Sequence, residues 1–171
     1  MKIKQSWFFI AFILAASFFA LNINAQNKTS YQVLEGDDLK RIVPTSFYFA
    51  GQSAETQVRN AAAAKLGENR FVIVGLVDTS GYSTEISGKY EGFFITDSPV
   101  KIGDKMLTTG AYGFGFAKDK VNFFDLSSKL ILSVNTVNDA EMKRPRPILM
   151  MSDTKGVRLY KGKNYVLLSA K

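Results

Sequence analysis

K-Y-E-G-F-F-I-T (Lys89–Thr96), D-S-P (Asp97–Pro99), V-K-I-G-D-K-M-L-T-T (Val100–Thr109), G-A-Y-G-F-G-F-A (Gly110–Ala117), K-D-K (Lys118–Lys120) and V-N-F-F-D-L (Val121–Leu126) follow one another without a break. At their centre stands Tyr112-Gly113-Phe114-Gly115-Phe116. Side chains alternate across a strand with period two, so Tyr112, Phe114 and Phe116 share one face. Gly113 and Gly115 leave the other face bare, where the chain can bend sharply or be approached by a backbone or a ligand. Short runs near 89–96, 100–103, 110–117 and 120–126 read as strands. Asp97-Ser98-Pro99, Gly103-Asp104 and Lys118-Asp119-Lys120 supply the turns between them.

Upstream, Phe71-Val-Ile-Val-Gly-Leu-Val77 is a continuous apolar run of strand length and reads as a central, buried strand. Between Ser53 and Leu66 two readings compete. Four alanines followed by Gly67 suit a helix with a glycine cap. Gly67-Glu68-Asn69 before the apolar run suits a hairpin instead, and the β-rich surroundings favour strand. Strand is the expectation. Ser46–Ala50, with Phe47, Tyr48 and Phe49, is the first clear strand. Tyr31–Leu34 reads as a short strand or strap, and Glu35-Gly36-Asp37-Asp38 as a turn. Asp78–Gly88 is a polar loop, and Asn135–Lys143 is polar with room for a helical turn. Lys143-Arg144-Pro145-Arg146-Pro147 has to be extended, because proline fixes its own φ and restricts the residue before it. Leu130–Val134, Ile148–Met151, Val157–Tyr160 and Tyr165–Ser169 complete the strands. The expected fold class is therefore all-β: an antiparallel barrel or a two-sheet sandwich of about 8–11 short strands with at most one or two short helices.

Lys2 and Lys4, the apolar run Trp7–Leu21 and the small residue Ala25 have the layout of a secretory signal peptide. The run is shorter than the roughly 20 apolar residues that cross a bilayer, so no stable span is expected after cleavage. Residues 1–25 are read as the signal peptide, 26–43 as an N-terminal leader and 44–171 as one β domain. The product would be exported, either periplasmic or secreted. Cysteine is absent, so neither a disulfide framework nor lipid attachment can support the exported chain. Setting Lys2 and Lys4 aside lowers the net charge from +7 to +5, with the lysines scattered along the chain. A basic stripe and a nucleic-acid module are both missing, which argues against a nucleic-acid partner.

The segments V-D-T-S-G-Y-S (77–83), K-Y-E-G-F-F-I-T (89–96), G-A-Y-G-F-G-F (110–116) and K-R-P-R-P (143–147) together resemble a family of exported bacterial all-β proteins of unassigned function. That resemblance spans most of Pro44–Ser169. It implies a shared fold and supplies no catalytic residues.

Catalytic chemistry finds little purchase. Histidine is absent, which removes the commonest general base, the Ser–His and Cys–His pairs and the commonest metal ligand. Asp78-Thr79-Ser80-Gly81 follows an apolar strand, as the catalytic aspartate of an aspartic protease does. Here Ser80 intrudes before the glycine and there is no second copy, so a loop-capping turn is the favoured reading. The Ser98–Lys101 and Ser152–Lys155 spacings lack the helix that a serine–lysine pair requires. Asp78, Glu85, Glu91, Asp97, Asp125 and Asp153 are the remaining candidate acids; a glycan-directed hydrolase would need two of them facing across a cleft. Neither a zinc ligand set nor a calcium loop is present, and no cofactor is expected.

Two binding features remain. Phe93, Tyr112, Phe114, Phe116 and Phe123, with the bare positions Gly113 and Gly115, either line an apolar pocket or form plain core, and core is favoured. Arg144 and Arg146, bracketed by prolines, either present guanidinium groups to an anion or an acidic partner or form a rigid basic loop, and the loop is favoured. The preferred function is an exported, non-catalytic β domain that binds a small apolar or amphipathic ligand or an envelope protein. A carboxylate-dependent hydrolase and a structural module exposing a sheet edge stand as alternatives.

Overall fold

The computed structural model describes residues 30–170. The segment read as a signal peptide lies outside the described residues. The chain is all-β, with fourteen strands in two antiparallel sheets and two short helices among those residues.

In chain order, β1 (Tyr31–Leu34), α1 (Gly36–Ile42), β2 (Ser46–Phe49), β3 (Gln52–Leu66), β4 (Phe71–Val77), α2 (Thr84–Ser87) and β5 (Gly92–Thr96) come first. β6 (Val100–Ile102) and β7 (Lys105–Leu107) form a hairpin, followed by β8 (Gly110–Ala117), β9 (Lys120–Phe124) and β10 (Leu130–Asn135). β11 (Val137–Asn138), β12 (Arg146–Asp153), β13 (Gly156–Gly162) and β14 (Asn164–Ala170) end the chain. The first sheet runs β1-β3-β4-β5-β8-β9-β10, with β2 also on β3. The second runs β12-β13-β14-β6-β7, with β11 on β14. Among the described residues no ladder joins the two sheets, so the arrangement is a sandwich.

The alanine-rich Gln52–Leu66 is a strand fifteen residues long, as its β-rich surroundings suggest. Its first part pairs with β2 through a turn in which Ala50 and Gly51 both have positive φ (48° and 88°), the geometry of a tight hairpin turn. Its last part lies between β1 and β4. Tyr31–Leu34, within the expected leader, contributes a strand to the sheet. Glu35–Asp38 does not remain a turn: Gly36–Ile42 is a helix. Asp37 and Asp38 in its first turn and Lys40 and Arg41 in its last complement the helix dipole. In place of a helical turn within Asn135–Lys143, the structure has β11 followed by one turn closed by Met142 N–H to the Asp139 carbonyl, 3.2 Å.

The first sheet is covered on both faces, which accounts for its nearly unbroken apolar runs. Toward the second sheet, Val72, Val74, Phe94, Tyr112, Phe114 and Phe123 pack against Ile102, Met150, Leu159 and Leu168. On the opposite face Phe93 and Val77 join Val43, Phe47, Phe49, Tyr82, Tyr90 and Phe124 in a second core. That outer layer comes from the β2–β3 hairpin and the loop bearing α2. Phe49 stacks on Tyr90 at 4.0 Å between ring centroids, and Phe47 on Phe93 at 5.2 Å.

The bare face of β8 looks into this second core. A Cβ on Gly113 would collide with the ring of Phe49, and one on Gly115 with the backbone carbonyl of Lys89. Phe93 lies between two glycine partners, Gly75 on β4 and Gly113 on β8, so its ring and those of Phe47 and Phe49 fill the trough that the glycines leave.

Candidate functional site: a basic, aromatic groove where two hairpins meet

Extended K-R-P-R-P leads into β12, and Arg146 faces Gly162 across the β12–β13 ladder. Two prolines allow no helix here, and Gly162 bears no side chain, so the Arg146 position stays open. The β8–β9 turn from the first sheet meets the β13–β14 turn from the second at this end. Asn164 Nδ2 donates to the Lys118 carbonyl at 3.4 Å and Asn138 Nδ2 donates to Asn164 Oδ1 at 2.8 Å.

Between these turns lies a groove of about 560 Å³, lined by Phe116, Lys118, Pro145, Arg146, Pro147 and Lys161 among others. Its floor is apolar and its rim cationic. Glu91 organises one wall: its carboxylate accepts the Phe116 N–H at 2.9 Å and forms an ion pair with Lys161. The Lys161 ammonium also sits 5.9 Å from the centroid of the Phe116 ring. Lys161 is thus neutralised and held. Among the described residues Lys118 and Arg146 make no ion pair. Two uncompensated cations therefore flank an aromatic ring and two prolines, an arrangement that suits an anion carrying apolar surface.

Arg144 goes elsewhere. It lines a separate depression of about 540 Å³ with Asp139, Glu141, Met142 and Met151. Arg158 in the same depression is paired with Asp153 at 2.6 Å, and Tyr160 OH donates to Asp139 at 2.8 Å. The two arginines of K-R-P-R-P line no depression in common.

The aromatic set divides as well. Phe93, Phe114 and Phe123 are fully buried, Phe93 in the outer core and the other two between the sheets. Tyr112 is buried, with its hydroxyl 2.8 Å from Thr108 Oγ1. Only Phe116 of the set is half-exposed and reaches the groove. Gly113 and Gly115 are approached by Phe49 and by Lys89, both parts of the protein itself.

Nearly every candidate acid is engaged in local structure. Asp78 accepts the Ser80 N–H at 3.0 Å, and the hydrogen bonds from Ser80 hold its carboxyl below the usual range. Asp97 accepts the Phe71 N–H at 2.8 Å. Asp125 accepts from Ser127 Oγ at 2.6 Å and from the Ser127 and Lys129 N–H groups. Asp153 accepts the Lys155 N–H and pairs with Arg158, and Glu85 pairs with Lys89 at 3.4 Å. Ser152 Oγ donates to the Tyr31 carbonyl and has no lysine partner. No group of three or more acids placed to hold a metal ion occurs among the described residues.

Lys118, Lys161 and Asn164 were not visible as site residues in the sequence, because they come together only when turns more than forty residues apart meet; the only hint was that they stand at or beside hairpin turns. Glu91 was in view as a candidate catalytic acid, and the structure makes it the ion-pair partner of Lys161. Set against known families, curated proteins and solved structures, the chain matches none.

Proposed function

We propose that this chain is an exported, non-catalytic β domain that binds an amphipathic anion, free or displayed on an envelope protein, in the groove around Phe116, Lys118 and Arg146. The observation that carries the reading is the pair of uncompensated cations, Lys118 and Arg146, over an apolar floor. The use of the acids as turn caps and ion-pair partners favours binding over hydrolysis. The leader layout of residues 1–25 supports export, and the mass of the product recovered from outside the cytoplasm tests it: close to 25 residues should be gone.

Anilinonaphthalene sulfonate, an apolar fluorophore with one anionic group, tests the groove. It should bind saturably, and the Arg146→Glu, Lys118→Glu double variant should weaken binding about ten-fold, the effect of about 1.4 kcal/mol. Both residues are exposed, so folding should be unaffected. Undiminished binding by the double variant would overturn the proposal.

A further inference from the structure

Beyond the groove, Arg146 and Pro147 also border a second cleft, of about 420 Å³, on the other side of β12. That cleft lies between two strand edges. β12 pairs only with β13, and β1 pairs only with β3. Ser152 Oγ donates to the Tyr31 carbonyl at 3.3 Å, tying the two edges at one end. From there toward Arg146 no ladder joins them, and Val33 and Leu34 of β1 and Ile148, Leu149 and Met150 of β12 line the cleft.

The floor of the cleft is equally unusual. Arg59 and Asn60, which line it, belong to a stretch of β3, residues 57–60, that has no ladder partner on either side: pairing with β4 jumps from Thr56–Val77 to Ala61–Gly75. β12 bulges as well, between Arg146 and Leu149. Val33, Leu39, Ile148 and Leu149 give the cleft apolar walls, while Arg59 and Arg146 stand on its rim. Glu35 is the one acid lining it among the described residues, and neither arginine makes an ion pair among those residues.

We infer that this seam receives an extended acidic peptide, which adds as a strand to the free edge of β12 and places carboxylates against Arg59 and Arg146. An unpaired strand edge offers main-chain donors and acceptors in register, the requirement for strand addition. Peptide is favoured over other polyanions because the cleft presents backbone and apolar side chains along its length and charge only at its rim. The inference rests on the binding reading of the groove and names the ligand class that would span both clefts, since Arg146 is common to the two.

The test uses the mature chain and the probe acetyl-Asp-Val-Glu-Val-Glu-Val-Asp-amide, followed by calorimetry and by amide hydrogen exchange. Saturable binding is expected, with exchange of amides in Ile148–Met151 slowed about ten-fold. A probe N-methylated at its central amides should bind about ten-fold more weakly, the worth of one or two main-chain hydrogen bonds. Arg59→Glu should weaken the peptide while leaving anilinonaphthalene sulfonate in the groove unaffected.

No binding up to about 1 mM, binding without protection of β12, or equal binding of the N-methylated probe would each overturn strand addition. Displacement of an unprotecting peptide by dextran sulfate would assign the surface to polyanions instead. Protection of β12 that grows with protein concentration in the absence of peptide would assign the edge to a second copy of the chain. If the fluorophore binds and the peptide does not, this inference falls and the groove reading stands; if neither binds, both fall.

Discussion

The carbonyl oxygen of Lys89 occupies the space that a Cβ on Gly115 would need. The obstacle is main chain, placed just before β5 where Glu91 N–H donates to the Phe114 carbonyl at 2.9 Å. It cannot rotate aside as a side chain could. Gly115→Ala should therefore cost more than about 3 kcal/mol, beyond ordinary overpacking. At Gly113 the obstacle is the Phe49 ring, so Gly113→Ala should cost about 1–3 kcal/mol, and adding Phe49→Leu should recover part of it. Urea titration of the variants decides both. Gly115→Ala at wild-type stability would remove the close approach from the account of this strand.

Phe114 is fully buried between the sheets. Phe114→Ala should lower stability by about 3–5 kcal/mol. A loss below about 1 kcal/mol would mean that the space between the sheets collapses easily around the missing ring.

Tyr90 is fully buried and its hydroxyl has no hydrogen-bond partner among the described residues, although Tyr82 beside it donates to the Gln52 carbonyl at 3.1 Å. Burial, with the neighbouring Tyr82 phenol adding to it, pushes the Tyr90 phenol well above its ordinary value. A pKa raised by folding means that the neutral form is favoured in the native state. The associated stability is complete below about pH 10, where an unfolded tyrosine begins to ionise, and is lost as pH rises further. Tyr90→Phe should leave stability at pH 7 unchanged or raise it by about 1 kcal/mol, and should flatten the decline above pH 10. Denaturation midpoints at pH 7 and across the alkaline range check this; a clear loss at pH 7 would reveal a hydrogen bond to that hydroxyl.

Asp125 closes the β9–β10 turn. Hydrogen bonds from the Ser127 hydroxyl and the Lys129 N–H, in that order, hold its carboxyl below the usual range. A depressed native pKa contributes stability that is present above the unfolded value near 3.9 and is lost as pH falls through the native one. Asp125→Asn should therefore show a shallower loss of stability below pH 4 than the parent chain. Parallel acid titrations of the urea midpoint would test it, and identical slopes would remove Asp125 from the acid response.

Strand positions are readable wherever a short apolar or aromatic run is bounded by turn residues, as at Phe71–Val77 and Gly110–Ala117. Gln52–Leu66 is a strand because ladder pairing with β1, β2 and β4 outweighs the helical preference of its alanines. Gly36–Ile42 escapes a reading by periodicity because a seven-residue helix is too short for an apolar stripe, and only Leu39 and Ile42 of it are half-buried. Its signal is electrical, acids first and bases last, in a segment that also reads as a turn. Period-two alternation puts Tyr112, Phe114 and Phe116 on one face correctly. It does not show that Phe93 lies on the other side of the sheet, because both faces of that sheet are buried. The groove is legible only through Arg146 and Phe116; its remaining charges arrive from turns that sequence cannot place side by side.

Pro147 stands inside the bulge near the start of β12 and offers no N–H. A chain docking on that edge can be held only by the residues beyond the proline and short of Ser152, Ile148–Met151, because the Ser152–Tyr31 contact closes the far end. The exposed edge is thus bounded at both ends, long enough for a few residues of a guest and too short to template copy upon copy. Such a limit on sheet growth separates an edge that can recruit from one that would seed fibrils.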